Sequence, residues 1–67
     1  MTATGTVTAL SVDRFGFIAP DQHAGEIWIR PRSMDADTQL HIGQRVEYVL
    51  ALGLLGIEAA NVRPLDA

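Results

Sequence analysis

The sequence predicts an all-β domain of five short strands that closes into a small antiparallel barrel. Apolar and polar residues alternate over short stretches, turn-forming residues recur between them, and no helical spacing of apolar residues persists along the chain. A chain of 67 residues has room for one core, and its 48% of hydrophobic residues is enough to fill that core. We therefore expect a single domain over residues 1–67, with the barrel at about 5–65.

Strand one is predicted at Thr6–Val12, where β-branched residues alternate with small or polar ones. Val7 is its clearest inward position. The polar pair Asp13–Arg14 then turns the chain into the next strand.

Strand two is predicted at Phe15–Ile18 and is expected to stop before Pro20, because proline cannot donate a ladder hydrogen bond. Phe15 and Phe17 are two residues apart and so share one face, with Gly16 on the other. If the rings simply filled the core, the glycine would take an outward position where it serves no purpose. The alternation therefore favours two outward-facing rings.

Strand three is predicted at Glu26–Arg30 and ends at Pro31. Ile27 and Ile29 lie on one face and form a suitable inward pair. Trp28 falls on the opposite face, so we expect an indole ring that is at least partly exposed.

Strands four and five are predicted at Arg45–Leu52 and Ile57–Arg63, on either side of a glycine-bounded loop. Tyr48 alternates with Val46 and Leu50, and we assign it to the core rather than to a binding site.

Five short strands expose an edge unless the sheet closes on itself, and a Greek-key barrel is the common solution. An SH3-like barrel fits the same strand count and length. Strand pattern alone leaves both barrels open.

The composition excludes several classes of protein. Without cysteine the chain has neither disulfides nor thiolate metal sites. No apolar run approaches the roughly 20 residues of a membrane span, and the N-terminus lacks the features of a secretory signal, so we expect a cytoplasmic protein. The formal net charge is −3 and no lysine is present, which is unfavourable for nonspecific binding to a phosphate backbone.

No residue pattern is typical of catalysis or of metal binding. The acidic residues never pair at a spacing that would hold two carboxylates across a substrate, and the serines have no adjacent base. His23 and His41 occur singly in polar turns. We therefore expect no enzymatic activity, no metal and no other cofactor.

Five short motifs occur in an order that resembles the bacterial cold-shock domain, and together they span nearly the whole chain. They are Gly5-Thr6-Val7, Phe15-Gly16-Phe17-Ile18, Ile27-Trp28-Ile29-Arg30, Gly43-Gln44-Arg45-Val46 and Ala59-Ala60-Asn61-Val62. The resemblance implies an oligonucleotide-binding (OB) fold, which is a five-stranded antiparallel Greek-key barrel.

The resemblance also implies that the chain binds single-stranded RNA or DNA, as an RNA chaperone or transcript regulator. The matching positions are Phe15, Phe17 and Trp28 for stacking bases, with Arg14 and Arg30 contacting phosphates or bases. The chemistry is reasonable without the family, because every base has a π-face and a ring contributes about 1–3 kcal/mol per stacked base.

Departures from the family predict weaker binding. Strand one reads Thr8-Ala9-Leu10-Ser11 where the family has an aromatic pair preceded by lysine. Arg14 alone replaces a Lys-Gly pair, and Arg30-Pro31 replaces a His-Phe pair. At about 1–3 kcal/mol per ring, losing about three rings lowers affinity by orders of magnitude.

The alternative hypothesis is a protein-interaction module that kept the barrel and lost nucleic-acid binding. It is motivated by the acidic balance, the missing rings and the apolar pair Leu54 and Leu55 in the last loop. Apolar residues at a hairpin tip are typical of a surface for a protein partner or for a second copy of the chain.

Overall fold

Five strands form a closed barrel in the computed structural model, which describes residues 2–11, 15–29, 39–53 and 56–65. The strands are β1 (Ala3–Leu10), β2 (Gly16–Pro20), β3 (Ile27–Ile29), β4 (Arg45–Gly53) and β5 (Gly56–Pro64). Around the barrel they follow the order β1-β2-β3-β5-β4. The predicted all-β class, strand count and closure are confirmed.

The expectation of a wholly antiparallel barrel is wrong at one seam. β1–β2, β2–β3, β1–β4 and β4–β5 are antiparallel, whereas β3 and β5 pair in parallel. The reason is geometric: strand directions cannot alternate all the way round a closed ring with an odd number of strands. One parallel pair is therefore unavoidable in a five-stranded barrel.

Strand ends differ from prediction most clearly in the first hairpin. β1 starts at Ala3 and ends at Leu10, and β2 continues to Pro20, which pairs with Gly5. Proline is tolerated there because β3 pairs with β2 only as far as Ile18, so no described β3 residue requires a donor from Pro20.

The core consists of inward side chains from all five strands that are at most 1% exposed. They are Val7, Ile18, Ile29, Val46, Tyr48, Ala59 and Val62. The inward assignments of Val7 and Tyr48 are thus confirmed. The antiparallel hairpins and the parallel seam close around a single core.

A β-bulge on β5 explains how Ala59 and Val62 both point inward although they are three residues apart. Between the pairs Glu47–Arg63 and Val49–Ala60, β4 has one residue and β5 has two. Asn61 is the extra residue. Its φ of 53° is a left-handed conformation that asparagine tolerates better than most residues. The asparagine of the Ala59–Val62 motif therefore has a backbone role.

Two glycines allow β1 and β2 to approach closely. A Cβ on Gly5 would lie 2.5 Å from the Ile18 Cγ2 and 2.6 Å from the Ala19 carbonyl oxygen. A Cβ on Gly16 would lie 2.6 Å from the Ala9 carbonyl oxygen. Gly16 is buried and faces inward, so the outward direction of its two phenylalanine neighbours is also a requirement of packing.

An ion pair joins the connection after β2 to the start of β4. The Arg45 guanidinium donates to both carboxylate oxygens of Asp21, at 2.7 and 2.6 Å, and the Thr4 hydroxyl donates to the same carboxylate at 2.6 Å. The hydrogen bonds from Arg45 and, to a smaller extent, from Thr4 hold the pKa of Asp21 far below its usual range.

We expect acid to destabilise the barrel through Asp21. Because the folded-state pKa is depressed, the stabilisation is complete above the unfolded-state pKa of about 3.9 and is lost as the pH falls towards the folded-state pKa. Urea midpoints of the wild type and Asp21→Asn should differ at neutral pH and converge below about pH 4. A difference between the midpoints that stays constant across this range would show that the charge of Asp21 has no stabilising role.

Candidate nucleic-acid interface

Three aromatic rings meet on the outer face of β2 and β3. The Phe17 and Trp28 positions pair across the two strands, and their ring centroids lie 5.5 Å apart in an edge-on arrangement. Phe15 precedes β2, and its ring lies 5.0 Å from Trp28 with the planes tilted by 33°. We call these three residues the aromatic platform.

The platform is exposed to solvent. Phe15 and Phe17 are each 36% exposed and Trp28 is half-buried. Gly16 and Ile18, which alternate with the two phenylalanines, are buried. The faces predicted by alternation are therefore the observed ones. Each ring covers part of its neighbour, which favours a fixed arrangement and leaves aromatic surface available for stacking.

Two hydrogen bonds with Ser11 position the backbone of Phe15. The Ser11 amide donates to the Phe15 carbonyl oxygen at 2.9 Å, and the Phe15 amide donates to the Ser11 hydroxyl oxygen at 3.3 Å. These bonds fix the end of the β1–β2 connection next to the platform. Ser11 was not among the predicted site residues, because the sequence alone does not show that it bonds to Phe15.

The platform ends at β1. Ala9 pairs with Phe17 on the outer face, so a methyl group occupies the place where a ring could extend the stacking surface. Thr8 is the extra residue of a bulge on β1. Its hydroxyl donates to the carboxylate of Glu26 and lies 3.3 Å from the Phe17 carbonyl oxygen. β1 therefore contributes polar contacts to the platform and no aromatic surface.

Two acidic residues lie close to the platform strands. Glu26 precedes β3 and accepts the hydrogen bond from Thr8, and Glu58 pairs with Trp28 across the parallel seam. A Cβ on Gly53 would collide with the Glu58 carboxylate, so this group reaches over β4. The Glu26 carboxylate, bonded to Thr8 beside Phe17, therefore places negative charge near the platform, which opposes the approach of phosphates. Sequence reasoning missed Glu58 because its position beside Trp28 depends on the pairing of distant strands.

The predicted cations Arg14 and Arg30 lie outside the described residues, as do Leu54 and Leu55. Within the described ranges, Arg45 is paired with Asp21, and Arg63 donates to Glu47 at 3.1 Å. Both of these ion pairs involve β4 rather than the platform strands β2 and β3.

No helix in the described part of the chain is long and apolar enough to cross a membrane. Among the same residues, no three histidine or acidic side chains come together in a way that could hold a metal ion.

Comparison with known proteins supports the fold. A search of curated proteins finds no significant match. The solved structure described as Drosophila Unr CSD456 is similar to this chain with a TM-score of 0.83 at 18% sequence identity. The match covers 98% of this chain and 27% of that one, so the chain spans well under a third of the length of the solved protein.

The family model of the 'cold-shock' DNA-binding domain matches residues 3–65, which is nearly the whole chain. This match includes every strand of the barrel and all three rings of the aromatic platform. The chain therefore belongs to the cold-shock domain family, a family of nucleic-acid-binding modules.

Proposed function

We propose that the chain binds short single strands of RNA or DNA across β2 and β3, with bases stacked on Phe15, Phe17 and Trp28. The observation that supports this most is the contact of the Trp28 ring with both phenylalanine rings, all partly exposed on one outer face. An isolated exposed ring is common, whereas three adjoining rings form a surface large enough for two or three bases. The proposal involves binding alone, without a chemical reaction.

Arg14 and Arg30 are the proposed partners of the phosphates or of base edges. Arg14 directly precedes Phe15 in the chain, and Arg30 directly follows β3. Arginine suits this role because its planar guanidinium forms bidentate hydrogen bonds with phosphate and stacks on bases.

The binding is expected to be weaker than that of family members with a complete set of rings. Ala9 supplies no ring beside Phe17, and Glu26 places negative charge next to the platform. We further propose that the chain acts on transcripts in a bacterial cytoplasm, as an RNA chaperone or regulator, which is a role that tolerates weak and sequence-independent stacking.

The test is a titration of the intrinsic fluorescence of Trp28, the only tryptophan, with short oligo(dT) and oligo(U). We expect saturable quenching at low salt that weakens as salt is added. If two arginines neutralise two phosphates, the logarithm of the binding constant should fall with the logarithm of the salt concentration with a slope of about −1.4.

Duplex DNA of the same length is the control, because paired and stacked bases are not available to the rings. Unchanged Trp28 fluorescence at high micromolar concentrations of single strand would overturn the proposal. Equal quenching by duplex and single strand would also contradict stacking on unpaired bases.

A further inference from the structure

The β4–β5 hairpin continues beyond the strands that close the barrel. β1 pairs with β4 only along Arg45–Tyr48, and β3 pairs with β5 only at Glu58 and Ala59. Past these limits lie residues 49–53 of β4, which pair with Ala60 to Gly56 of β5, and residues 56–57 of β5, which pair with Gly53 and Leu52. We call them the hairpin extension.

The inner face of the hairpin extension is apolar and exposed. Leu50 is 44% exposed, Leu52 83% and Ile57 57%. By register and alternation these side chains lie on the face that carries Tyr48 and Ala59 in the barrel. The prediction that Leu50 alternates with Tyr48 was thus right about its face, but Leu50 is not buried because the barrel ends before it.

One edge of the extension has no strand partner among the residues that the structure describes. On the side of β4 that faces away from β5, no residue of the described ranges pairs with Val49–Gly53. This stretch contains no charged residue and no proline, which are the features that protect exposed strand edges. An unprotected edge beside exposed leucines favours an added strand as the occupant.

The longest segment of this chain outside the described ranges, residues 30–38, is poorly suited to cover the patch. Its sequence RPRSMDADT has two basic and two acidic residues and one large apolar side chain. A second copy is better suited, because an uncharged strand pairs antiparallel with itself without any need for complementary charges. We propose that two copies associate through their β4 edges, with Leu50 and Leu52 packed around a two-fold axis.

This dimer is expected to be weak. Five residues of edge and three apolar side chains per copy form an interface smaller than the roughly 1,200–2,000 Å² of stable complexes. Each copy also carries a net charge of −3, so the two copies repel each other at low salt. Salt should therefore tighten the dimer, which is the opposite of its effect on nucleic-acid binding.

The proposed dimer leaves both aromatic platforms free, because the platform lies on the outer face of β2 and β3. Two platforms on one particle can engage two sites on a single strand, which raises the effective affinity without any new contact to bases. The dimer itself does not depend on the proposed nucleic-acid function and can be tested without any ligand.

Sedimentation velocity of nucleic-acid-free protein, from about 10 µM to 1 mM at low and at high salt, is the direct test. We expect a concentration-dependent dimer that high salt favours. Leu52→Arg should raise the dissociation constant at least about tenfold. The matched control is Ile42→Arg, since Ile42 is 67% exposed and lies before the start of β4, far along the strand from the extension.

A monomer at every concentration, or a dimer that responds equally to both substitutions, would overturn the proposal. Amide hydrogen exchange of the wild type gives a second readout that requires no variant. Amides within Val49–Gly53 should exchange more slowly as the protein concentration rises, and exchange that is independent of concentration would likewise count against pairing of the edges.

Discussion

Replacing Phe17 and Trp28 together by alanine should abolish measurable binding of short single strands and leave the barrel folded. At about 1–3 kcal/mol per stacked base, the loss of two rings corresponds to a fall in affinity of about 30-fold to 10⁴-fold. The fold should survive because both side chains lie on the outer face, where they contact each other, and neither belongs to the core cluster.

Binding by this variant requires a readout that does not use tryptophan, such as the fluorescence anisotropy of an end-labelled strand. Far-UV circular dichroism checks that the variant is folded. Ile42→Ala serves as the matched control, because Ile42 is an exposed apolar residue that belongs to neither β2 nor β3. A folded double variant with wild-type affinity would show that bases do not stack on these rings.

Truncation of Ile29, the direct neighbour of Trp28, should destabilise the fold, whereas the loss of the outer rings should leave it intact. Ile29 is fully buried, and Ile29→Ala is expected to lower the free energy of unfolding by about 2–5 kcal/mol. A domain of 67 residues has a total of only about 3–10 kcal/mol. A large fraction of the variant should therefore be unfolded under mild conditions.

Urea denaturation followed by Trp28 fluorescence measures this effect. The same chemical change at exposed Ile42 should alter the free energy of unfolding by no more than about 0.5 kcal/mol. If Ile29→Ala and Ile42→Ala had equal midpoints, the assignment of Ile29 to the core would be wrong. Substitutions at the adjacent residues Trp28 and Ile29 would thus separate an effect on binding from an effect on stability.

Alternation predicted the faces of Phe15, Phe17 and Trp28, because the period of two is set by the local geometry of each strand. It also placed Val7 and Tyr48 inward, as observed. These assignments need no knowledge of which strands are neighbours.

Features that depend on strand pairing could not be predicted in this way. Leu50 continues the alternation of Tyr48, yet it is exposed because β1 ends its pairing at Tyr48. Glu58 lies beside Trp28, and Asp21 bonds to Arg45, only because the barrel brings distant segments together. The sequence shows the charge of these residues but not the partners that determine its effect.

The parallel seam between β3 and β5 also has a consequence for the time course of folding. The seam joins residues about 30 positions apart, such as Ile29 and Ala59, and the β1–β4 pairing of Ala3 with Tyr48 spans a still longer segment. Closing such loops costs conformational entropy before any contact compensates for it, so these pairings slow the search for the native topology. Phe17 and Trp28, in contrast, meet across a hairpin of short sequence separation, so the platform depends on local pairings and the closed barrel on distant ones.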